Sequence, residues 1–400
     1  YALPIVPDLI ELTAGSKWFT AVDLSDGFWN LLIHPEDRHK TTFSVPGKGR
    51  YMWRSVPFGL HASAPHFQRM IEATMAGLSW EEVCVYVDDI LIHTETFERH
   101  VQVVETVLAR LAEGGFCIAP KKCAVFQRKL PYLGFILSEH GLQMDEAKCR
   151  KLQEELGKVG SKTDIRRALG MAQFYSKFIF GFAQLTAPMT NALHNDVKED
   201  LSSLSSEERR LLDESVKALL NVFDRQVLLR LPDYKREFVV KTDASDVAIA
   251  AMLAQPDENG NLRPVVMWSR KLSDTERRYS ATEREALAVV YLLQKFRHYL
   301  LGRRFILCTD HKALSFVFNG ANHNSKLARW SLRLQEFTFD VAYIKGTENK
   351  EADFLSRAIK DDSVLQEWMT NGRHTYLRWK EAVGGEDEEV IIPKVQWSIP

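Results

Sequence analysis

Val83-Cys84-Val85-Tyr86-Val87-Asp88-Asp89-Ile90-Leu91-Ile92 holds two apolar runs, Val83 to Val87 and Ile90 to Ile92, broken by two acids. β-branched residues on both sides of a pair of turn formers predict a tight antiparallel hairpin. Asp is common in turns, so taken alone the acids read equally as a surface bend. Acids at the edge of hydrophobic strands are costly unless solvated or paired. Upstream, Trp18 to Leu24 predicts a strand that ends in a further acid, Asp23. Downstream, Phe97 to Ala112 carries Val101, Val104, Leu108 and Leu111 at helical spacing. It stops at Gly114-Gly115, the usual C-terminal signal of a helix.

From about 143 to 225 the pattern turns mainly helical, with Ile165, Leu169, Ala172 and Ser176 on one face. Ser202 to Glu207 reads as a loop or a helix start. A second α/β pattern follows. Strands are predicted at Glu237 to Asp243, Asp246 to Ala254 and Pro264 to Ser269, then a helix from Thr282 to His298. A strand from Arg304 to Asp310, helices through 311–335, a strand from Thr338 to Ile344 and a helix from Asn349 complete it. That order is an α/β layer architecture. The fold class expected is α/β multidomain, divided at 1–142, 143–232 and 233–358, with a tail or linker over 359–400 that is rich in charge and Trp.

The 400 residues are 45% hydrophobic and 26% charged, which excludes a disordered or collagen-like chain. Apolar runs such as Val247 to Ala254 fall far short of the roughly 18 residues a membrane span needs, so no membrane partner is expected. The five cysteines form no CxxC pair, and a chain this long needs no disulfides, which favours a reducing compartment. The net charge of −1 argues against a uniformly basic nucleic-acid binder but not against a segregated one. Basic pairs recur at Lys121-Lys122, Arg128-Lys129, Arg166-Arg167, Arg277-Arg278 and Arg303-Arg304, while acid gathers at Glu386 to Glu389. The chain opens at Tyr1 with no Met and no apolar leader, and reads as a fragment or processed piece of something longer.

Asp23, Asp88 and Asp89 brought together would repel unless divalent cations held them. Magnesium suits such a set, because it takes one or two carboxylates plus substrate phosphates. Two such ions can activate a 3′-hydroxyl and stabilise a leaving pyrophosphate. A second set, Asp243, Glu285, Asp310 and Asp353, falls on strand, helix, strand and helix at separations of 42, 25 and 43 residues. Each acid alone reads as a cap or a surface residue. Together they suit two-metal hydrolysis of a phosphodiester. Glu283 competes with Glu285, since both have apolar residues three and four places on.

Tyr86-Val87-Asp88-Asp89 resembles the YxDD box of reverse transcriptases. Phe19 to Phe28 resembles their first catalytic-acid motif. Val56-Pro57-Phe58-Gly59-Leu60, with Ala64-Pro65 and Phe67-Gln68, resembles their nucleotide-pocket motif. Tyr132-Leu133-Gly134-Phe135, then Ser138 to Gly141, resembles their primer-grip hairpin. Tyr1-Ala2-Leu3-Pro4 and Pro57-Phe58-Gly59-Leu60 are similar to the YPLP and PFGL words of gypsy-type LTR retrotransposons. Asp164 to Phe182 resembles the segment those elements carry after the palm. Thr242-Asp243-Ala244-Ser245, Thr309 to Leu314, Asn349 and Ala352 to Arg357 resemble their ribonuclease H, and the resemblance favours Glu285 over Glu283.

The resemblance, over residues 1 to about 358, implies a palm with partial fingers, a helical thumb or connection, and a ribonuclease H-like domain. It implies Asp23, Asp88 and Asp89 as one catalytic metal set, and Asp243, Glu285, Asp310 and Asp353 as the other. Each would hold two Mg2+ ions, with Mn2+ as a substitute. Phe28 would be a steric gate against ribonucleotides, Phe58 and Gly59 would line the nucleotide pocket with Gly59 allowing close backbone approach, and Leu133 and Gly134 would form the primer grip. Tyr343 stands where many ribonucleases H carry a histidine ten residues before the last Asp, and His311 is a candidate substitute. The implied partners are RNA template, DNA primer/template, RNA–DNA hybrid and dNTPs, with a second copy or the remainder of a polyprotein. Basic residues of the helical middle would track the duplex backbone. The implied location is intracellular, in a cytoplasmic particle or the nucleus. In the family a further stretch forming most of the fingers precedes the YPLP-like words. Asp23 stands only 22 residues after Tyr1, so this chain is expected to be a poor polymerase and a competent nuclease. The rival expectation is a co-opted or decayed element protein that only binds nucleic acid.

Overall fold

The structure is a computed structural model and describes residues 1–25, 27–194, 196–224, 227–309 and 325–343. The chain divides into two compact units, Tyr1–Gln143 and Met144–Pro400.

The first unit begins with α1 (Val6–Leu12) and β1 (Trp18–Asp23). Two 3-10 turns, Gly27–Asn30 and Pro35–Thr41, lead into a hairpin of β2 (Phe43–Val45) and β3 (Gly49–Tyr51). Then come α2 (Ser63–Thr74), β4 (Val83–Tyr86), β5 (Asp89–Thr94), α3 (Phe97–Glu113) and β6 (Ala124–Gln127). The last strands are β7 (Lys129–Tyr132), β8 (Phe135–Ser138) and β9 (Gly141–Met144), which form a small sheet of their own. The main sheet has the order β4-β5-β1-β6 and is antiparallel throughout.

Alternation along these strands sends Val83, Val85, Ile90, Ile92 and Val22 to one face, as the two-residue strand period requires. They meet Phe67 and Ile71 of α2 and Val103, Val104, Val107 and Leu111 of α3. The hairpin forms as expected, but its two-residue turn is shifted by one residue toward the N-terminus. Tyr86 pairs with Asp89, leaving only Val87 and Asp88 between the strands. Helix α3 starts from a Thr96 cap, whose side chain accepts from the Arg99 N–H, and spans nearly the expected range. Its buried stripe is rotated from the expected one. His100, Val103, Val104, Val107 and Leu111 are buried, Val101 is half-buried and Leu108 is exposed. The rotation follows from His100, which is held between the Thr20 and Thr94 hydroxyls at 2.8 and 2.9 Å. A polar residue with both ring nitrogens bonded can occupy a core position that hydropathy alone assigns elsewhere.

The second unit opens with helices α4 (Glu146–Leu156), α5 (Lys162–Phe174), α6 (Phe182–Leu185), α7 (Ala187–Asn191) and α8 (Ser206–Asp224). Asp145 and Ser161 cap α4 and α5. In α5 Ile165 and Ala172 are buried as expected, but Ala168 joins them rather than Leu169, and the helix ends before Ser176. Strands β10 (Phe238–Ala244), β11 (Ala248–Pro256) and β12 (Leu262–Lys271) follow, then α9 (Asp274–Arg277), α10 (Ala281–Lys295), α11 (Arg297–Leu300), β13 (Arg304–Thr309), α12 (Ser325–Leu334) and β14 (Thr338–Tyr343). The sheet order is β12-β11-β10-β13-β14, with β10, β13 and β14 parallel. Every residue of β11 from Ala248 to Gln255 is buried, the mark of a strand covered on both faces. Helix α10 packs on one face through Ala286, Val289, Val290 and Leu293. Segment 176–185 lies against β12, and the Ala183 N–H donates to Ser269 Oγ at 2.8 Å.

Among the described residues no helix is long and apolar enough to cross a membrane. All five cysteines are unpaired.

Candidate active sites

Three acids gather at one end of the first sheet. Asp23 closes β1 and Asp89 opens β5, and the two are direct cross-strand partners. Cross-strand Cβ atoms lie roughly 5 Å apart, so like charges there oppose each other. Asp88 occupies the turn just before. Burial, then the charges of Asp89 and Asp23, push the Asp88 carboxyl above the usual range, against a smaller pull from Lys122. Its Oδ1 is buried and has no hydrogen-bond partner. Asp23 Oδ1 lies 3.3 Å from Lys122 Nζ. Among the described residues no three His, Cys, Asp or Glu side chains close into a ready-made cage for an ion. A crowded carboxylate set with an orphaned buried oxygen nevertheless suits a divalent cation, which would offset both the repulsion and the missing bond.

Gly27 was not singled out by the sequence, yet it shapes this site. A Cβ placed there would stand 2.3 Å from Asp88 Oδ1 and 2.9 Å from the Phe67 ring. The backbone at Gly27 therefore leaves Asp88 the space it occupies. The neighbouring Phe28 packs on Phe67 and edge-on to Phe58, with ring centroids 5.4 and 5.7 Å apart. Phe58 is 71% exposed. Gly59 has φ +90° and nothing within 4 Å of its absent Cβ. In this structure the positive φ is what favours glycine there, and the space beside it is open.

Leu133 and Gly134 form the two-residue turn between β7 and β8, with φ of 45° and 89°. Positive φ at both central positions matches the right-handed twist of a hairpin. Tyr132 is buried beside them. Burial, with the charges of Cys84, Asp89 and Tyr86, raises its phenol well above the usual value. Strand β7 itself packs on β1, the strand that ends at Asp23.

In the second unit Asp243 lies in β10, the central strand. Ser245 shapes the turn after it, accepting from the Val247 and Ala248 N–H groups and donating to Gln184 Oε1. Glu285 is buried on α10, which packs on β10. Glu283 is otherwise engaged. It closes a capping box with Ser280 and accepts from Lys326 Nζ at 2.9 Å, and these bonds hold its carboxyl below the usual range. Asp310, Asp353 and His311 lie outside the described residues; of this set Asp243 and Glu285 stand on β10 and α10, two elements that pack on one another. Tyr343 ends β14. The basic pair of the helical segment is committed to acids: Arg166 lies 3.9 Å from Glu199 and Arg167 lies 3.0 Å from Glu155.

A family model described as reverse transcriptase (RNA-dependent DNA polymerase) matches residues 2–137. A second, described as an RNase H-like domain found in reverse transcriptase, matches residues 233–337. The Retrovirus-related Pol polyprotein from transposon 297 of Drosophila melanogaster is 35% identical over 357 residues, covering 89% of this chain and 32% of that one. Both matched regions are thus similar to parts of retrotransposon Pol polyproteins. The chain is also 34% identical over 363 residues to the Pol polyprotein from transposon gypsy of the same fly, covering 89% and 34%. It is 31% identical over 370 residues to the Transposon Tf2-3 polyprotein of Schizosaccharomyces pombe, covering 91% and 27%. It thus spans about a third of the length of the curated relatives it matches.

Among solved structures, the foamy viral protease-reverse transcriptase in complex with dsDNA is similar with a TM-score of 0.71 at 22% identity, over 85% of this chain and 71% of that one. The same enzyme in complex with an RNA/DNA hybrid gives 0.67 at 22%, over 86% and 46%. That likeness establishes the fold of the chain, an α/β region with the reverse transcriptase fold followed by a ribonuclease H-like domain.

Proposed function

We propose that the chain synthesises DNA from dNTPs on RNA or DNA templates, and hydrolyses the RNA of RNA–DNA hybrids. The observation that carries this reading is the register of β1 and β5. It sets Asp23 opposite Asp89, with Asp88 in the adjoining turn under the charge of both, inside the region the polymerase model matches. Asp23, Asp88 and Asp89 would hold divalent magnesium, with manganese as a substitute. Such ions supply a charge that lowers the pKa of an attacking hydroxyl and steadies the leaving oxygen. Gly27 keeps room for the Asp88 carboxylate. Phe28, braced by Phe58 and Phe67, would exclude a 2′-hydroxyl by bulk, with Gly59 in the same pocket. The Leu133-Gly134 turn would support the primer terminus.

Asp243 and Glu285, with Asp310 and Asp353, would form the nuclease set. The commitment of Glu283 to its cap supports Glu285 as the member from α10. Residues 1–142 would act as palm with partial fingers, 143–232 as thumb or connection, 233–358 as nuclease, and 359–400 as tail. The partners would be primer/template and hybrid duplexes, with a second copy or the rest of a polyprotein. Five free thiols suit a reducing setting, such as a cytoplasmic particle or the nucleus.

The test measures both activities on two variants in magnesium. Asp88→Asn should remove primer extension and spare hybrid cleavage, and Glu285→Gln should do the reverse, each loss on the order of a hundredfold or more. Loss of both activities in one folded variant would sink the two-site reading. In the same assay Phe28→Ala should admit ribonucleotides. An unchanged dNTP-to-rNTP ratio would return Phe28 to a purely packing role.

A further inference from the structure

Gln68 sits in α2 and is fully buried, at 0% exposure. A primary amide in that position is costly unless its groups are bonded. Its Oε1 accepts from the Val87 N–H at 2.7 Å. Its Nε2 donates to the Val85 carbonyl at 2.8 Å and to Glu72 Oε1 at 2.6 Å. Two of the three bonds therefore go to the backbone of the β4–β5 hairpin, one on each side of Tyr86.

Val87 has φ 52°. A β-branched side chain is disfavoured there, and two-residue hairpin turns ordinarily put Gly or Asn at such positions. A residue strained in this way persists only where its surroundings hold it. Asp88 follows Val87 directly, and Asp89 completes the turn.

We infer that Gln68 is a positioning residue: its amide clamps the strained Val87 turn from α2 and so sets Asp88 and Asp89 against Asp23. The inference rests on the polymerase reading of that acid cluster. Gln68 touches none of the three carboxylates in the described contacts and acts through the backbone that carries them. Strain separates this role from ordinary core bonding. If the clamp serves to hold Val87 at positive φ, then a glycine at position 87, which takes that φ at no steric cost, should make the clamp dispensable.

The experiment uses the full chain and the variants Gln68→Met, Val87→Gly and the double variant. Primer extension, hybrid cleavage and hydrogen exchange of the peptide Val83–Ile92 are measured on each. Gln68→Met should lower kcat of extension at least tenfold, with KM for dNTP within threefold of wild type and hybrid cleavage within twofold. Exchange should rise in the hairpin and stay unchanged in α3. The double variant should recover extension to within threefold of Val87→Gly alone.

Extension by Gln68→Met within threefold of wild type would overturn the clamp, as would a folded double variant with no recovery. If Gln68→Met does not fold, the double variant decides: recovery of the fold and of extension on adding Val87→Gly supports the clamp, and a double variant that still does not fold would overturn it. A wild-type chain that extends no primer would refute the polymerase reading instead, and the exchange data would still decide whether Gln68 holds the turn.

Discussion

Gly27 and Asp88 show how little space separates a working site from a blocked one. Any side chain at position 27 meets the Asp88 carboxylate and the Phe67 ring; Phe67 is fully buried and holds its place, so the half-buried Asp88 must give way. Gly27→Ala should therefore displace Asp88 and lower primer extension on the order of a hundredfold, the usual cost of an ångström-sized misplacement. Hybrid cleavage by the same protein should not change. Extension within threefold of wild type would show that Asp88 has other room. The acids themselves were legible in the sequence, because carboxylates at the ends of apolar strands need a reason to be there. Gly27 was not. Nothing in its neighbours distinguishes a glycine that clears space for a side chain 61 positions away from one that merely bends the chain. Glu283 and Glu285 were also inseparable by periodicity. What separates them is the capping box, which depends on where the helix starts, and helix starts are among the features least fixed by hydropathy.

The β4–β5 hairpin and the helix behind it show the same limit one level up. The pattern gave the tight hairpin and its inward face, yet not the position of its turn, one residue earlier, or the positive φ at Val87. The stripe on α3 was misplaced because His100 behaves as a core residue once Thr20 and Thr94 bond it. A second buried histidine, His93 in β5, carries a testable effect. Its ring lies 3.0 Å from Ser16 Oγ and 3.5 Å from Cys84 Sγ. Burial pushes it down to about 4 from an ordinary 6.5. Between those values the unfolded chain binds a proton that the folded His93 refuses. Stability is then complete above about pH 6.5 and is lost as pH falls toward 4. At ~1.4 kcal/mol per pH unit, moving from pH 7 to pH 5 should cost about 2 kcal/mol. Burial lowers His100 in the same direction. Urea unfolding at the two pH values, on wild type and His93→Gln, checks this. An equal pH effect in both proteins would remove His93 as its source.

The chain as a whole has two apolar cores, one under the β4-β5-β1-β6 sheet and one under the five-stranded sheet with α10. Each should unfold in its own transition. Between pH 7 and pH 5 the transition of the first unit should move more, since among the described residues the two buried histidines belong to it. A single transition by calorimetry, shifting as one with pH, would contradict that division. The alternation of strands and helices over 233–343 made the second unit readable in advance, down to the order of its elements. Its packing partners were not readable, because segment 176–185 reaches β12 through contacts that no local pattern encodes.

The direct opposition of Asp23 and Asp89 also bears on quality control in the cell. The pairing that joins these acids is the pairing that turns Val22, Ile90 and Ile92 inward. A slip of one residue between β1 and β5 would part the acids and send that apolar set to solvent together. Copies that lose the site by misregistration would thus also display sticky surface, which invites chaperones and proteases. Inactive molecules of this kind would be cleared rather than linger as folded competitors for the template.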